Sequence, residues 1–325
     1  MVSLKIFNGS YMPITHLQIE RQSQNCIQCN VEAVSPFNEL LLSWNATRPE
    51  VGHFLFFFRL KTAQLHDFMP YALWGASGQK SYTADLQSIK VNQDTIVLKE
   101  GLADGFSVKV EAQNGADITD VHALIASYTN HTEHVIKPLK LPQNRLQLDV
   151  PTLSQRRVDH PRKNDLCSPT STCALCSFLT KKVLNPLSFA TNSWDSDADI
   201  YGNWVFAIAE ASHHLGNKWL AYVTRLTSFD EVTTNLKNGI PSIISVRGPL
   251  PGSPVPNTSG HLLVVTGFDG ATNKIFCMDP AFHEESETVT AYDANDLFAA
   301  WKLRGGVAYI FKKFLKKTIV KIFPI

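Results

Sequence analysis

At 325 residues, 44% of them hydrophobic and 18% charged, the chain is long enough for two globular domains of roughly 100–200 residues each. A formal net charge of +1 argues against a nucleic-acid partner. The N-terminal MVSLKIFNGSYMPITHLQIE lacks an unbroken apolar core and a small-residue cleavage site. No segment approaches the ~20 apolar residues of a bilayer span, so a cytoplasmic location is expected, with signal-independent secretion left open.

Residues 30–128 read as strands. LLLSWNA (40–46) and HFLFFFRLK (53–61) are short and apolar, 94–98 and 106–112 follow, and 121–127 closes the set. Alternation at period two marks half-buried strands, and Gly75, Asp104-Gly105 and Asn114-Gly115 supply turns between them. HFLFFFRLK is apolar on both faces at its centre and reads as a central strand. The economical fold for residues 1–145 is an antiparallel β-sandwich. Four of its aromatics, Trp44, Phe68, Tyr71 and Trp74, sit near strand ends and are compatible with ligand binding, although a place in the core is the plainer expectation for most of them. Residues 129–150, with Pro138 and Pro142, read as a linker.

Beyond the linker helices appear, over 168–181, 203–215 and 229–238. The second carries Trp204, Ile208, Ala211 and Leu215 on one stripe and stops at Gly216. Strands follow at 241–247, 261–268, 274–279 and 307–311. Helices first and strands later predict an α+β domain over 146–313. Residues 314–325 form a basic tail. With Phe311 included, apolar residues at 311, 314, 315, 319 and 322 share a helical face that suits an anionic membrane surface; packing on the domain is the plainer expectation.

Six cysteines are too few for a disulfide scaffold. Cys26/Cys29 and Cys173/Cys176 have C-x-x-C spacing, but they lie far apart in different domains, which does not suit a four-thiolate zinc site. Cys167 is different. It stands directly before Ser168-Pro169, a helix start that tolerates proline. A thiol there feels the positive end of the helix dipole, which favours the thiolate nucleophile. Cys173 and Cys176, inside the same helix, read as core.

A thiolate nucleophile needs a histidine beside it. Of eleven histidines, His261 opens a strongly apolar strand after the Gly-, Pro- and Ser-rich loop 248–260, which borders a cleft. Strands 261–268 and 274–279 are joined by the hairpin loop 269–273, and folding that hairpin brings Asp279 close to His261. Asp279 is therefore the candidate that orients the imidazole. The oxyanion of an acyl transfer needs donors, for which the Cys167 N–H and the Gln155 side chain are candidates. His213 and His214, adjacent on a helix, face different ways and do not form a metal pair; they read as surface or helix-end residues stabilised by the helix dipole. His283, Glu284 and Glu285 read as a solvated loop. No cofactor or metal is called for.

VPTLSQ…LCSPTS, YGNWVFAIAEA, NGIPSIISV, SGHLLVVTGFD and MDPA occur in one order over residues 148–311. That order resembles the C39-like cysteine peptidases, the papain-fold group related to bacteriocin leader-processing peptidases. The resemblance implies a papain-like fold with Cys167 as nucleophile, His261 as base, Asp279 as orienter and Gln155 as oxyanion donor, although the Gln-to-Cys gap is longer than in papain-type enzymes. SWNATRP, MPYALWG and QDTIVL are similar to the β-rich domain that precedes some members. The implied activity is hydrolysis of peptide bonds in a peptide or protein substrate. Amidase or acyl-transferase chemistry would use the same residues, and a binding protein built on the sandwich, with a retired papain-like scaffold, is the alternative of another class.

Overall fold

The computed structural model describes residues 14–17, 20–63 and 66–313. The tail 314–325, and with it the membrane-surface expectation, lies outside the described residues.

In chain order the strands of the N-terminal half are β1 (Ile14–His16), β2 (Glu20–Ser23), β3 (Cys26–Val31), β4 (Glu39–Ala46), β5 (His53–Lys61), β6 (Met69–Gly75), β7 (Gly78–Ser81), β8 (Ala84–Asp85), β9 (Ile89–Val91), β10 (Ile96–Leu98), β11 (Gly105–Gln113) and β12 (Val121–Thr129). They form two six-stranded sheets, ordered β1-β12-β4-β10-β9-β8 and β2-β3-β11-β5-β6-β7. The sheets meet through aromatic rings. Trp44 of β4 stacks on Phe56 of β5, with centroids 4.1 Å apart, and meets Trp74 of β6 edge-on at 6.4 Å. Such contacts add to the large apolar area each ring removes from water. Strand β5 is interior, between β11 and β6. Its alternation is real: Phe54, Phe56, Phe58 and Leu60 are buried and the residues between them half-buried. The apolar second face is covered in part by cations, Lys109 lying over Phe57 at 4.4 Å.

This packing decides between the two readings of the aromatics. Trp44, Trp74 and Tyr71 have no exposure and belong to the core; Phe68 is half-buried, with Arg59 over its ring. Three of the four offer no surface to a ligand.

The C-terminal half comprises β13 (Arg145–Gln147), α1 (Cys167–Thr180), α2 (Pro186–Thr191), α3 (Trp204–Leu215), β14 (Trp219–Arg225), α4 (Asp230–Lys237), β15 (Ser242–Val246), β16 (His261–Asp269), β17 (Lys274–Met278), β18 (Val289–Asp293), α5 (Ala294–Leu303) and β19 (Val307–Lys313). The architecture is α+β. One antiparallel sheet runs β14-β19-β15-β16-β17-β18, and β13 pairs with the far end of β16. Alternate strand residues point to opposite faces. Ile243, Leu262 and Val264 join a core with α1 and α3; Ile244, Leu263 and Val265 join a second core with α4 and α5. Burial on both faces explains why β16 shows no polar alternation.

Residues 129–150 are not a loose linker. Ile136 is buried, Lys137 N–H donates to the Thr227 carbonyl, and Leu148 N–H donates to that of Thr266. Gly267 is needed where this segment crosses β16, since a Cβ there would lie 2.2 Å from the Leu146 carbonyl oxygen.

The two halves are joined through polar groups at the edge of β14. Asn45 of β4 donates to the Ala221 carbonyl at 2.7 Å and accepts from Ala221 N–H at 2.9 Å. Ser43 accepts from Val223 N–H at 3.1 Å. Side chains of β4 thus pair an edge that would otherwise expose unsatisfied backbone. Arg48 reaches Glu210 of α3 at 3.2 Å, and Glu210 also receives His214 and Asn192. His213 Nδ1 accepts from Arg48 N–H. The two histidines therefore serve this junction rather than an exposed helix end.

Candidate active site

Helix α1 is buried from Ser168 through Ser177. That suits an element running through the middle of a domain, although Ser168, Thr170, Ser171, Thr172 and Ser177 among its buried residues carry hydroxyls. Pro169 lies in its first turn, where a missing N–H costs no intrahelical bond. Leu166 at the N-cap supplies no side-chain acceptor, so no cap competes for the first N–H groups. Two hydrogen bonds fix this turn against the sheet. Ser168 Oγ meets the Tyr309 hydroxyl of β19 at 2.9 Å, and Ser171 donates to the Leu262 carbonyl of β16 at 3.0 Å. Leu262 follows His261, so the start of α1 is registered against the start of β16.

Cys167, the first residue of α1, is half-buried. Cys173, Cys176 and Cys277 are buried, as the sequence predicts for the first two. Burial pushes the Cys173 thiol up to about 12 and those of Cys176 and Cys277 well above the ordinary thiol value. These three are core thiols, inert at neutral pH.

His261 is 3% exposed and Asp279 fully buried. Strands β16 and β17 pair Val264 with Met278, which carries Asp279, the next residue, to the His261 end of the hairpin. His261 Nε2 donates to Asp279 Oδ1 at 2.7 Å. Asp279 Oδ1 also accepts from Ala281 N–H at 2.9 Å, and Oδ2 accepts from the Tyr292 hydroxyl at 2.6 Å. Burial works against a charged imidazole, but the Asp279 charge and hydrogen bond, then Cys167, outweigh it and raise His261 to about 10. Burial likewise disfavours the carboxylate, yet the His261 charge and the three donors hold Asp279 below its ordinary value. The result is a buried imidazolium–carboxylate pair with the remaining ring nitrogen, Nδ1, available on the side of the thiol.

Gln155 is 2% exposed and lies between the two arms of the site. Its backbone N–H donates to the carbonyl of Pro280, next to Asp279. Its side-chain Nε2 donates to the carbonyl of Asn164 at 2.7 Å, three residues ahead of Cys167. Among the described residues the second N–H of that amide has no acceptor, and its Oε1 is buried without a hydrogen-bond partner. The fold thus brings all four sequence candidates into one region: Cys167 from α1, His261 and Asp279 from the hairpin, Gln155 from the segment ahead of α1.

Sequence reasoning missed Tyr292. It lies on β18, which the sequence reading left unassigned; the β-branched and aromatic residues of VTAYD are the weak strand signal it carries. Loop 247–260 packs behind the same residue. It is closed by Gly248 N–H to the Asn257 carbonyl at 3.1 Å, and Gly252, with φ +87, lies against the Tyr292 ring. The loop therefore buttresses Tyr292 and leads into His261.

No curated protein matches the chain. A crystal structure from Bacillus anthracis, provisionally assigned as a C39-like peptidase, is similar to it at a TM-score of 0.41 and 17% identity, covering 53% of this chain and 98% of that one. A likeness that distant carries no argument about mechanism. The model of the Peptidase_C39 like family matches residues 147–309, half of the sequence and the whole span from Gln155 to Asp279, and by that match the chain belongs to the Peptidase_C39 like family.

Proposed function

We propose that the chain is a cysteine peptidase, with Cys167 as nucleophile, His261 as acid and base, Asp279 as orienter and Gln155 as oxyanion donor. The observation that carries this reading is the buried His261–Asp279 pair, whose imidazole also interacts with the Cys167 thiol at the start of α1. Cys167 Sγ attacks the scissile carbonyl, forming a C–S bond, while the Cys167 N–H and the uncommitted N–H of Gln155 receive the oxyanion. The C–N bond breaks as His261 passes its proton to the departing amine. Water, deprotonated by His261, then cleaves the thioester, releasing the acid and restoring the enzyme. Asp279 keeps Nδ1 aimed at the sulfur by holding Nε2.

In this reading residues 146–313 are a papain-like catalytic domain. The nucleophile comes from a central helix and the histidine and carboxylate from a facing sheet, which is consistent with that architecture. Residues 1–145 form an accessory β-sandwich. The test is a proteome-derived peptide pool incubated with wild type and with Cys167→Ala, the new N-termini being mapped by mass spectrometry. Cleavages made only by the wild type are expected. Identical product lists would overturn the assignment.

A further inference from the structure

Beside the candidate site lies a surface hollow of about 310 Å³, lined by Arg156, Arg157, Asp159, His160, Lys163 and His283. That volume is at the lower end of ligand pockets generally, roughly 300–1,000 Å³. The hollow is built on the catalytic framework. Arg156 follows Gln155 directly. Its Nε donates to the Ala281 carbonyl at 2.6 Å, and Ala281 N–H in turn donates to Asp279. Its other arm reaches Asn164 Oδ1 at 3.3 Å, on the residue whose carbonyl holds Gln155. A group seated here is therefore one residue away from the proposed oxyanion donor.

The charge of the hollow is unbalanced. Arg156, Arg157 and Lys163 face one carboxylate in the lining, Asp159, and one at the rim, Glu284. Glu284 is engaged by His283 at 2.7 Å and reaches Arg157 only at 3.8 Å. Arg156 is held by neutral acceptors, and among the described residues Lys163 makes no ion pair. Arg162, by contrast, is turned away and neutralised by Asp165 and Asp199. Arg162, with two carboxylate partners, thus differs from Arg156 and Lys163, which make no ion pair among the described residues, and from Arg157, whose contact with Glu284 is long. Neutral acceptors, the Ala281 carbonyl and the Asn164 side-chain amide, hold the Arg156 guanidinium without consuming its charge, which leaves it suited to a carboxylate.

We infer that this hollow is a specificity subsite for a carboxylate of the peptide substrate, from an acidic side chain or a chain terminus; the inference rests on the peptidase reading above. The test uses the full chain carrying Cys167→Ala, so that binding is read without turnover. Three fluorescent degenerate octapeptide pools are compared by anisotropy. One is amidated with a fixed Asn, one amidated with a fixed Asp, and one has the Asn and a free C-terminal carboxylate. The Asp pool, the carboxylate pool or both should bind about three- to tenfold tighter than the neutral pool at low salt. The preference should shrink as ionic strength rises and disappear in Arg157→Gln/Lys163→Gln. Which of the two anionic pools gains identifies the source. Equal binding of all three pools, or a preference unmoved by the double substitution, overturns the subsite. Because the binding needs no reactive thiol, a subsite can survive an inactive Cys167, and an active Cys167 can survive the loss of the subsite.

Discussion

Asp279→Asn is the substitution that separates electrostatics from shape in this site. The amide keeps the volume of the carboxyl group and removes the charge that holds the proton on His261. In the wild type His261 is raised from 6.5 to about 10, which corresponds to about 5 kcal/mol in favour of the buried cation. A raised group of this kind contributes stability that is fully present below pH 6.5 and is lost as pH rises through about 10. With asparagine, burial acts unopposed by Asp279 and the imidazole is held neutral, so forcing a proton onto it below pH 6.5 destabilises the fold. The cost of the substitution is therefore expected to be about 3–5 kcal/mol at pH 6, the range for breaking a buried pair. Above pH 10 the wild-type pair is itself neutralised at His261. Only the altered hydrogen bonds with Tyr292 and Ala281 remain as a difference, about 1–2 kcal/mol. Urea unfolding of both proteins at pH 6 and pH 10.5 gives the two differences. Equal differences at the two pH values, or less than about 1 kcal/mol at pH 6, would refute the charged-pair reasoning.

Tyr292→Phe removes a charge-assisted hydrogen bond from Asp279 and should cost about 1.5–3 kcal/mol at neutral pH. Asp279 is held below its ordinary value, so its contribution is present above pH 3.8 and is lost as pH falls through the folded value. Losing Tyr292 raises that value, and acid unfolding followed by near-ultraviolet circular dichroism should begin at higher pH. Arg48→Ala strips a cation from the fully buried Glu210 and should cost about 3 kcal/mol in denaturant unfolding. The pair Arg48→Met with Glu210→Leu should cost less than the sum of its single substitutions, and strict additivity would contradict the coupling. Gly267→Ala drives a Cβ into the Leu146 carbonyl and should lower stability by about 1–3 kcal/mol in a urea titration. An unchanged midpoint would mean that β13 does not cross β16 as described.

The site was more legible in the sequence than the fold around it. Cys167 could be picked out by a helix-start signal, and Asp279 by the length of one hairpin, because both rest on local rules of chain geometry. Strand β16 carried a long apolar run that admits few readings. Tyr292 and β18 were invisible for the opposite reason: β18 is a half-exposed strand of mixed polarity, where alternation is weak and burial is supplied by the neighbouring loop. The same limit applies to Trp44 and Trp74. A tryptophan near a strand end looks the same in sequence whether it faces water or a second sheet, and only the packing of β4 against β5 and β6 decides it. Segment 129–150 shows how proline-rich composition misleads. Its prolines exclude regular structure over most of its length, but they do not prevent it from packing onto the sheet and contributing β13.

The central claim is that His261 acts on Cys167, and alkylation tests it most directly. Iodoacetamide labelling of all six cysteines, followed site by site by mass spectrometry between pH 5 and 9, would be compared in wild type and His261→Ala. Cys167 should react faster than the other five at pH 6, and His261→Ala should slow it there while leaving the others unchanged. A Cys167 that reacts no faster than the core thiols, or one that is indifferent to His261, would contradict the account.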